Sequence, residues 1–517
     1  VSGYLRRLAT TGAAYTAASV FSKLIAVVLL PLYTRYLTRE DYGAAEVMFA
    51  AVVSASIVVR LGVIEALLRF YYEEDEDPAR VVATSFAALF WLVTVAALAA
   101  LPFAAPISEA LLGESAPDLA RISIGGLWAL TMFEYLLTLF RLEERARAYF
   151  VTTMLSVLAA IVLTVILVVG ADEGARGLLL GSYASGAAFV LGLIWAHRRS
   201  LSLRVDRPLL GRLLRFGLPT MPAELSLYML NFVDRLILVR TAATPAAGLR
   251  AAGLYSLAAK FAQGVNVLAR GFQLAWPPLA YSIRDDGEAR RVYATVVTWF
   301  AAAMAFAVAG MWLLSRWIVR ALAAPEFFGS FEAIGLLATG AALYALYMVL
   351  VVILGRTGRT GFNFPATGAA LASNVALNLL LVPPFGIVGA GVALVSSYLV
   401  VLSLMYGFTQ RLFPVPYEWG RLARALLGAA ALVVGGELLL PTAGAAGLLL
   451  RTLVWLAYPL LLLATGFFTG DERIWLARLR RPAELAAQLR SLRPSPAVEG
   501  RIPEAYEMEQ MDEDARL

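Results

Sequence analysis

The stretch NFVDRLILVRTAATPAAGLRAAGLYSLAAKFAQGVNVLARGF, residues 231–272, decides the fold class because it sets charged and amide side chains into otherwise apolar, helix-forming runs. Asp234 and Arg235 lie inside one apolar stretch, and Lys260 and Arg270 lie inside the next. At 100° per residue, Lys260, Gln263, Asn266, Arg270 and Gln273 fall within an arc of about 140°, which leaves the rest of that helix apolar. A cation at the centre of a bilayer costs roughly 2.5 to 3.5 kcal/mol on insertion scales. Such a helix therefore turns its polar stripe toward a wet interior and its apolar remainder toward lipid or other helices.

Working outward, apolar stretches of about 20 residues, enough to cross a hydrocarbon core of about 30 Å as helix, recur along the chain. They lie near 13–37, 43–69, 80–101, 119–140, 149–170, 177–196 and 216–240, and then near 253–282, 293–315, 331–354, 363–384, 388–410, 421–440 and 446–468. The expectation is an all-α polytopic membrane protein of about fourteen transmembrane helices. Composition agrees. The 517 residues are 60% hydrophobic and only 15% charged, with mean hydropathy +0.74, against roughly a quarter charged in a soluble chain.

An even number of spans puts both termini on one side. Arginines concentrate there, at Arg6 and Arg7, Arg69 and Arg80, Arg141 to Arg147, Arg198 to Arg215, Arg284 to Arg291, Arg356, Arg359, Arg411, Arg421, Arg424 and the tail. The opposite side carries only about nine, so both termini are expected in the cytoplasm. The first span is too long for a cleavable signal and is read as a retained helix. From 471 to 492 an Arg-rich amphipathic stretch is expected to lie on anionic headgroups, followed by a disordered acidic tail.

The two halves repeat one another. Gly43 precedes Arg60 by seventeen residues, and Gly253 precedes Arg270 by the same spacing. About twenty residues before each glycine stands another charge, Lys23 in one half and Asp234 with Arg235 in the other. Polar residues at matching places in two related bundles suggest a transporter whose site lies between the copies. The candidate binding cations are Lys23, Arg60, Arg270, Lys260 and Arg235; Lys23 and Lys260 are the chain's only lysines. Asn231, Gln263, Asn266, Gln273, Asn374 and Asn378 are the candidate polar lining. Asp234, Glu46 and Glu224 are candidates for holding a coupling proton or sodium ion. The alternative is that these charges merely pair within the bundle, for example Asp234 with Lys260 or Lys23 with Glu46.

A cavity walled by cations suits an anionic headgroup such as a diphosphate and would repel a purely cationic drug. With no cysteine, thiol chemistry and cysteine–zinc sites are excluded, and the one histidine, His197, sits in a basic run at a span end, so no metal site is expected. The net charge of +6 is scattered between apolar segments and forms no basic stripe for nucleic acid.

SKLIAVVLLPLYTRYLTREDYGAAEV, from 22 to 47, resembles the opening of the polysaccharide-export flippases of the MOP superfamily, and NFVDRLIL followed by GLYSLAAKF resembles their midpoint. The resemblance covers nearly the whole chain. It implies two pseudo-twofold-related six-helix lobes (1–205 and 206–412) forming a V around a central cavity, two further helices (413–470) and a cytoplasmic end (471–517). It also implies alternating-access translocation of undecaprenyl-diphosphate-linked oligosaccharide to the outer leaflet of a bacterial or archaeal plasma membrane, for cell-surface polysaccharide synthesis. The partners it implies are that lipid-linked glycan, membrane lipids and the polysaccharide polymerase machinery. Related lipid II flippases carry important cations at places that correspond to Lys23, Arg60 and Arg270, but Lys23 lacks their adjacent acid, which favours the polysaccharide exporters. A multidrug exporter of the same superfamily is the other alternative. An enzymatic reading, with Glu40 and Asp41 as catalytic carboxylates, is disfavoured by short external connections and by the fit of both residues to the acidic first turn of a helix.

Overall fold

The computed structural model describes residues 29–73, 76–198, 200–470 and 472, and among these the chain is helical with no strand. Most of the expected first span, Lys23 with it, lies outside the described residues, as do almost all of the expected amphipathic stretch and the whole acidic tail.

After a short helix α1 (Leu30–Tyr36), α2 (Arg39–Val59) begins where its sequence calls for a cap: Thr38 Oγ1 accepts from the Asp41 N–H at 3.1 Å, and Glu40 and Asp41 fill the first turn. The single span expected over 43–69 is two helices. α2 stops at Arg60, Leu61 and Gly62 take positive φ (49° and 71°), and α3 (Val63–Phe70) restarts the chain. Gly62 is needed here, because a Cβ would lie 2.1 Å from the Gly217 carbonyl oxygen.

α4 (Pro78–Ala100) continues through a 3-10 turn into α5 (Ala104–Leu112), and α6 (Pro117–Leu142), α7 (Ala146–Val165) and α8 (Gly174–Ala196) follow. The connection to the second half carries an amphipathic helix, α9 (Arg207–Gly217). Leu209 and Leu213 are buried while Arg207, Arg212 and Arg215 are exposed. Asp206 caps this helix and is paired with Arg80, whose Nε donates to it at 2.7 Å; that partner holds the Asp206 carboxyl below its ordinary pKa.

The second half comprises α10 (Met221–Thr241), α11 (Pro245–Ser282), α12 (Asp286–Leu322), α13 (Phe331–Arg356), α14 (Asn363–Leu412), α15 (Trp419–Leu439) and α16 (Gly444–Leu456). α14 is one run of 50 residues interrupted at Gly386 (φ 53°, ψ −130°), just after Pro383 and Pro384, so it contains the two spans expected on either side of 385–387. A second compact unit starts at Pro459, and its described part is helical to Ala464.

Among the described residues, ten helices are long and apolar enough to cross a bilayer, and the chain is a multi-pass membrane protein. α10 and α11 have the length without the composition, and both carry the candidate site. α11 packs along α2 and α13, and α10 along α14.

Candidate functional site

A cavity of about 510 Å³ opens among α10, α11, α13 and α14, with Ile57 of α2 on one side. α10 supplies Glu224, Tyr228, Asn231 and Arg235, one stripe of a helix that starts at the capless Thr220 and Met221. From α11 come Tyr255, Gln263 and Asn266, and Tyr344 and Tyr398 close the wall from α13 and α14. The lining joins amides and phenols, which donate and accept hydrogen bonds, to one cation and one carboxylate.

Arg235 and Asn231 are held by neighbours. Arg235 Nε donates to Ser256 Oγ at 2.8 Å, its Nη1 bonds the Asn231 carbonyl, and the guanidinium lies 5.9 Å from the Tyr255 ring centroid. Asn231 Nδ2 reaches the Tyr398 hydroxyl at 3.2 Å. These contacts pre-set rotamers on a wall that is otherwise free to meet a ligand.

The other sequence candidates divide into three groups. Lys260 does not pair with Asp234: its Nζ donates to Glu46 Oε1 at 2.5 Å and lies 5.0 Å over the Tyr42 ring, so this pair ties α11 to α2. Asp234 is fully buried behind the cavity wall, accepting from the Tyr255 hydroxyl at 2.5 Å and from Asn378 Nδ2 at 2.7 Å, with Asn374 one turn before Asn378. Arg270 is exposed on the polar stripe of α11 with Gln273, forms no ion pair among the described residues, and stands within electrostatic reach of Tyr344.

Arg60 is placed differently from its counterpart. Instead of lying mid-helix it occupies the C-terminal end of α2, where a cation meets the negative end of the helix dipole. Its guanidinium contacts three carboxylates: Glu134 Oε2 at 3.1 Å, Glu65 Oε1 at 3.7 Å, and Glu224. Glu134 was not among the sequence candidates, although an acid inside the apolar run WALTMFEYLLTLF was the signal for it. Glu40 is engaged by Arg250, and Asp41 Oδ2 accepts from Thr38 at 2.6 Å, so neither is a free carboxylate.

Comparison with known proteins places the fold. Among solved structures, the lipid II flippase MurJ in its inward closed conformation superposes with TM-score 0.64 at 12% identity, over 88% of this chain and 97% of that one. An inward-facing multidrug resistance MATE family transporter of the MOP superfamily gives 0.63 at 16% identity, over 76% of this chain and 94% of that one. A MOP superfamily transporter from Pyrococcus furiosus, reported to have a binding pocket of reverse polarity, gives 0.56 at 15% identity, over 78% and 95%. No curated protein matches the sequence. The family model described as polysaccharide biosynthesis protein matches residues 9–283. With more than half its length matched, and with the fold of MOP-superfamily transporters, the chain belongs to the polysaccharide biosynthesis protein family.

Proposed function

We propose that the protein is a flippase that moves undecaprenyl-diphosphate-linked oligosaccharide from the cytoplasmic to the outer leaflet of the plasma membrane by alternating access, with both termini cytoplasmic. The observation that carries this reading is a cavity lined by amides and tyrosines, inside the helices of a multi-pass member of a polysaccharide-biosynthesis family. Amides and phenols match the hydroxyls of a glycan, and tyrosine rings offer apolar faces for sugar C–H groups. Arg270, exposed and without an ion pair among the described residues, is the cation to receive the diphosphate first.

Asp234 is the coupling-ion candidate. It is a buried carboxylate with neutral hydrogen-bond partners, and the adjacent Asn378 Oδ1 is buried with no donor, so the pocket has acceptor capacity for a proton or a sodium ion. Contact with a polysaccharide polymerase belongs to the same reading.

The test is reconstitution in liposomes, following transbilayer movement of a fluorescent polyprenyl-diphosphate oligosaccharide under an imposed ion gradient. Movement by the wild-type chain that Arg270→Ala lowers at least tenfold supports the flippase. Cationic dyes moving while the lipid stays would favour the multidrug exporter, a reading to which Glu224 in the cavity wall lends its one charge of the right sign.

A further inference from the structure

Arg60 and Arg270 stand at matching positions of the two halves but have opposite surroundings. Arg270 is exposed, whereas the Arg60 side chain is only 9% exposed and faces three carboxylates. Those carboxylates are far wetter, at 31% for Glu65, 41% for Glu134 and 39% for Glu224. Glu65 and Glu134 come from α3 and α6 in the first half. Glu224 comes from the first turn of α10 in the second half, and it also lines the cavity. The Arg60–Glu224 bond therefore ties the halves together at one end of the cavity, next to the Gly62–Gly217 contact. A further hydrogen-bond donor on the same cation, Arg60 Nε, is buried with no acceptor.

Resting on the flippase reading above, we propose that Arg60 is a substrate-released latch: it holds Glu224 across the halves while the cavity is empty, and exchanges it for a phosphate of an anionic lipid headgroup.

Three facts carry the exchange. The guanidinium is the least exposed member of the cluster, whereas Glu224, 39% exposed on the cavity wall, can rehydrate once released. Arg60 presents a fork of donors, one of them unused, and that geometry fits phosphate. Glu134 and Glu65 stay beside Arg60 when Glu224 leaves, so part of its charge remains compensated during the exchange. Phosphate gains Arg60 only when Glu224 lets go, so ligand binding and latch opening favour each other by the same factor.

The experiment uses the full chain in nanodiscs with geranylgeranyl diphosphate as the probe. Affinity is measured for the wild type, Glu224→Gln, Arg60→Gln and the charge-keeping Arg60→Lys. Hydrogen exchange is followed in the peptide that covers the first turn of α10. The latch predicts that Glu224→Gln, which keeps the side chain and removes the competing charge, binds the probe about tenfold tighter, within the usual range of coupling. It also predicts that Arg60→Gln loses at least tenfold, that Arg60→Lys recovers part of the loss, and that probe speeds exchange at the start of α10 in the wild type. Unchanged or weaker binding by Glu224→Gln, or slower exchange on adding probe, overturns the latch and leaves the flippase reading standing. A wild-type chain that binds cationic dyes but no polyprenyl diphosphate removes the flippase reading and the latch with it.

Discussion

Gly43 on α2 and Gly253 on α11 meet each other across the interface between the two halves, each filling the place where the other's backbone passes. A Cβ on Gly43 would lie 2.0 Å from the Leu249 carbonyl oxygen and 3.0 Å from Gly253 N; a Cβ on Gly253 would lie 2.3 Å from the Arg39 carbonyl oxygen and 3.3 Å from Gly43 N. The reciprocity is what a local twofold between the helices produces. Glu40 and Arg250, 210 positions apart like the glycines, pair beside them at 2.5 Å. Backbone contact this close depends on both residues lacking a side chain.

Alanine at Gly43 or Gly253 is therefore expected to lower the melting temperature in detergent, from overpacking worth about 1 to 3 kcal/mol. Gly192 on α8 has no atom within 4 Å of an added Cβ. There, alanine is expected to stabilise by roughly 0.5 to 1 kcal/mol, through helix propensity alone. A Gly43→Ala variant that melts no lower than Gly192→Ala would show that α2 and α11 are free to separate at this point.

The Lys260–Glu46 pair makes a second prediction at the same interface. Lys260→Met leaves the mostly buried Glu46 without its cation and is expected to cost about 3 to 5 kcal/mol, the usual penalty for orphaning one member of a buried pair. Adding Glu46→Gln removes the orphaned charge and is expected to recover most of the loss. A thermal double-mutant cycle reads this directly. Additive losses would mean that the two side chains do not interact.

Much of this was legible in the sequence because it depends on local composition. The positions of the ten apolar helices among the described residues follow from hydropathy, and the stripe Glu224, Tyr228, Asn231, Arg235 follows from helical spacing and lines the cavity as one face. Partner choice was not legible. Asp234 and Lys260 both lie in the second half, yet Lys260 reaches across to Glu46 and Asp234 is satisfied by Tyr255 and Asn378, because pairing depends on which helices cross and at what height. The end of α2 at Arg60 was hidden for a related reason. Nothing in VVRLGVIEALL breaks helical periodicity, and the break comes from Gly62 docking on Gly217, a contact between segments far apart in the chain.

Asp234→Asn separates a structural carboxylate from a coupling one. Its partners are neutral, and asparagine keeps an oxygen that can accept from Tyr255 or Asn378, so melting is expected to hold or rise as a buried charge disappears. Transport in liposomes is expected to stop responding to the imposed proton or sodium gradient. A large drop in melting temperature with gradient dependence intact would make Asp234 a packing residue and remove it from the coupling scheme.

Glu437 on α15 holds two arginines. Arg316 Nη1 on α12 approaches its carboxylate oxygens at 2.8 and 3.1 Å, and Arg451 on α16, fully buried, bonds it while also donating through Nε to the Pro441 carbonyl at 3.0 Å. Two guanidinium groups share one anion, so the three positions differ in worth. Glu437→Gln leaves both cations without a counter-charge and is expected to cost about 3 to 5 kcal/mol. Arg316→Gln should cost clearly less, because Arg316 is partly exposed and its loss leaves Glu437 paired with Arg451 one to one. Arg451→Gln should fall closer to Glu437→Gln, since it also empties a buried site from which the Leu313, Leu440 and Pro441 carbonyls draw their donors. Melting of the three variants in one detergent gives the ranking, and a loss at Arg316 equal to that at Glu437 would mean that the triad is held by Arg316 and that Arg451 contributes packing alone.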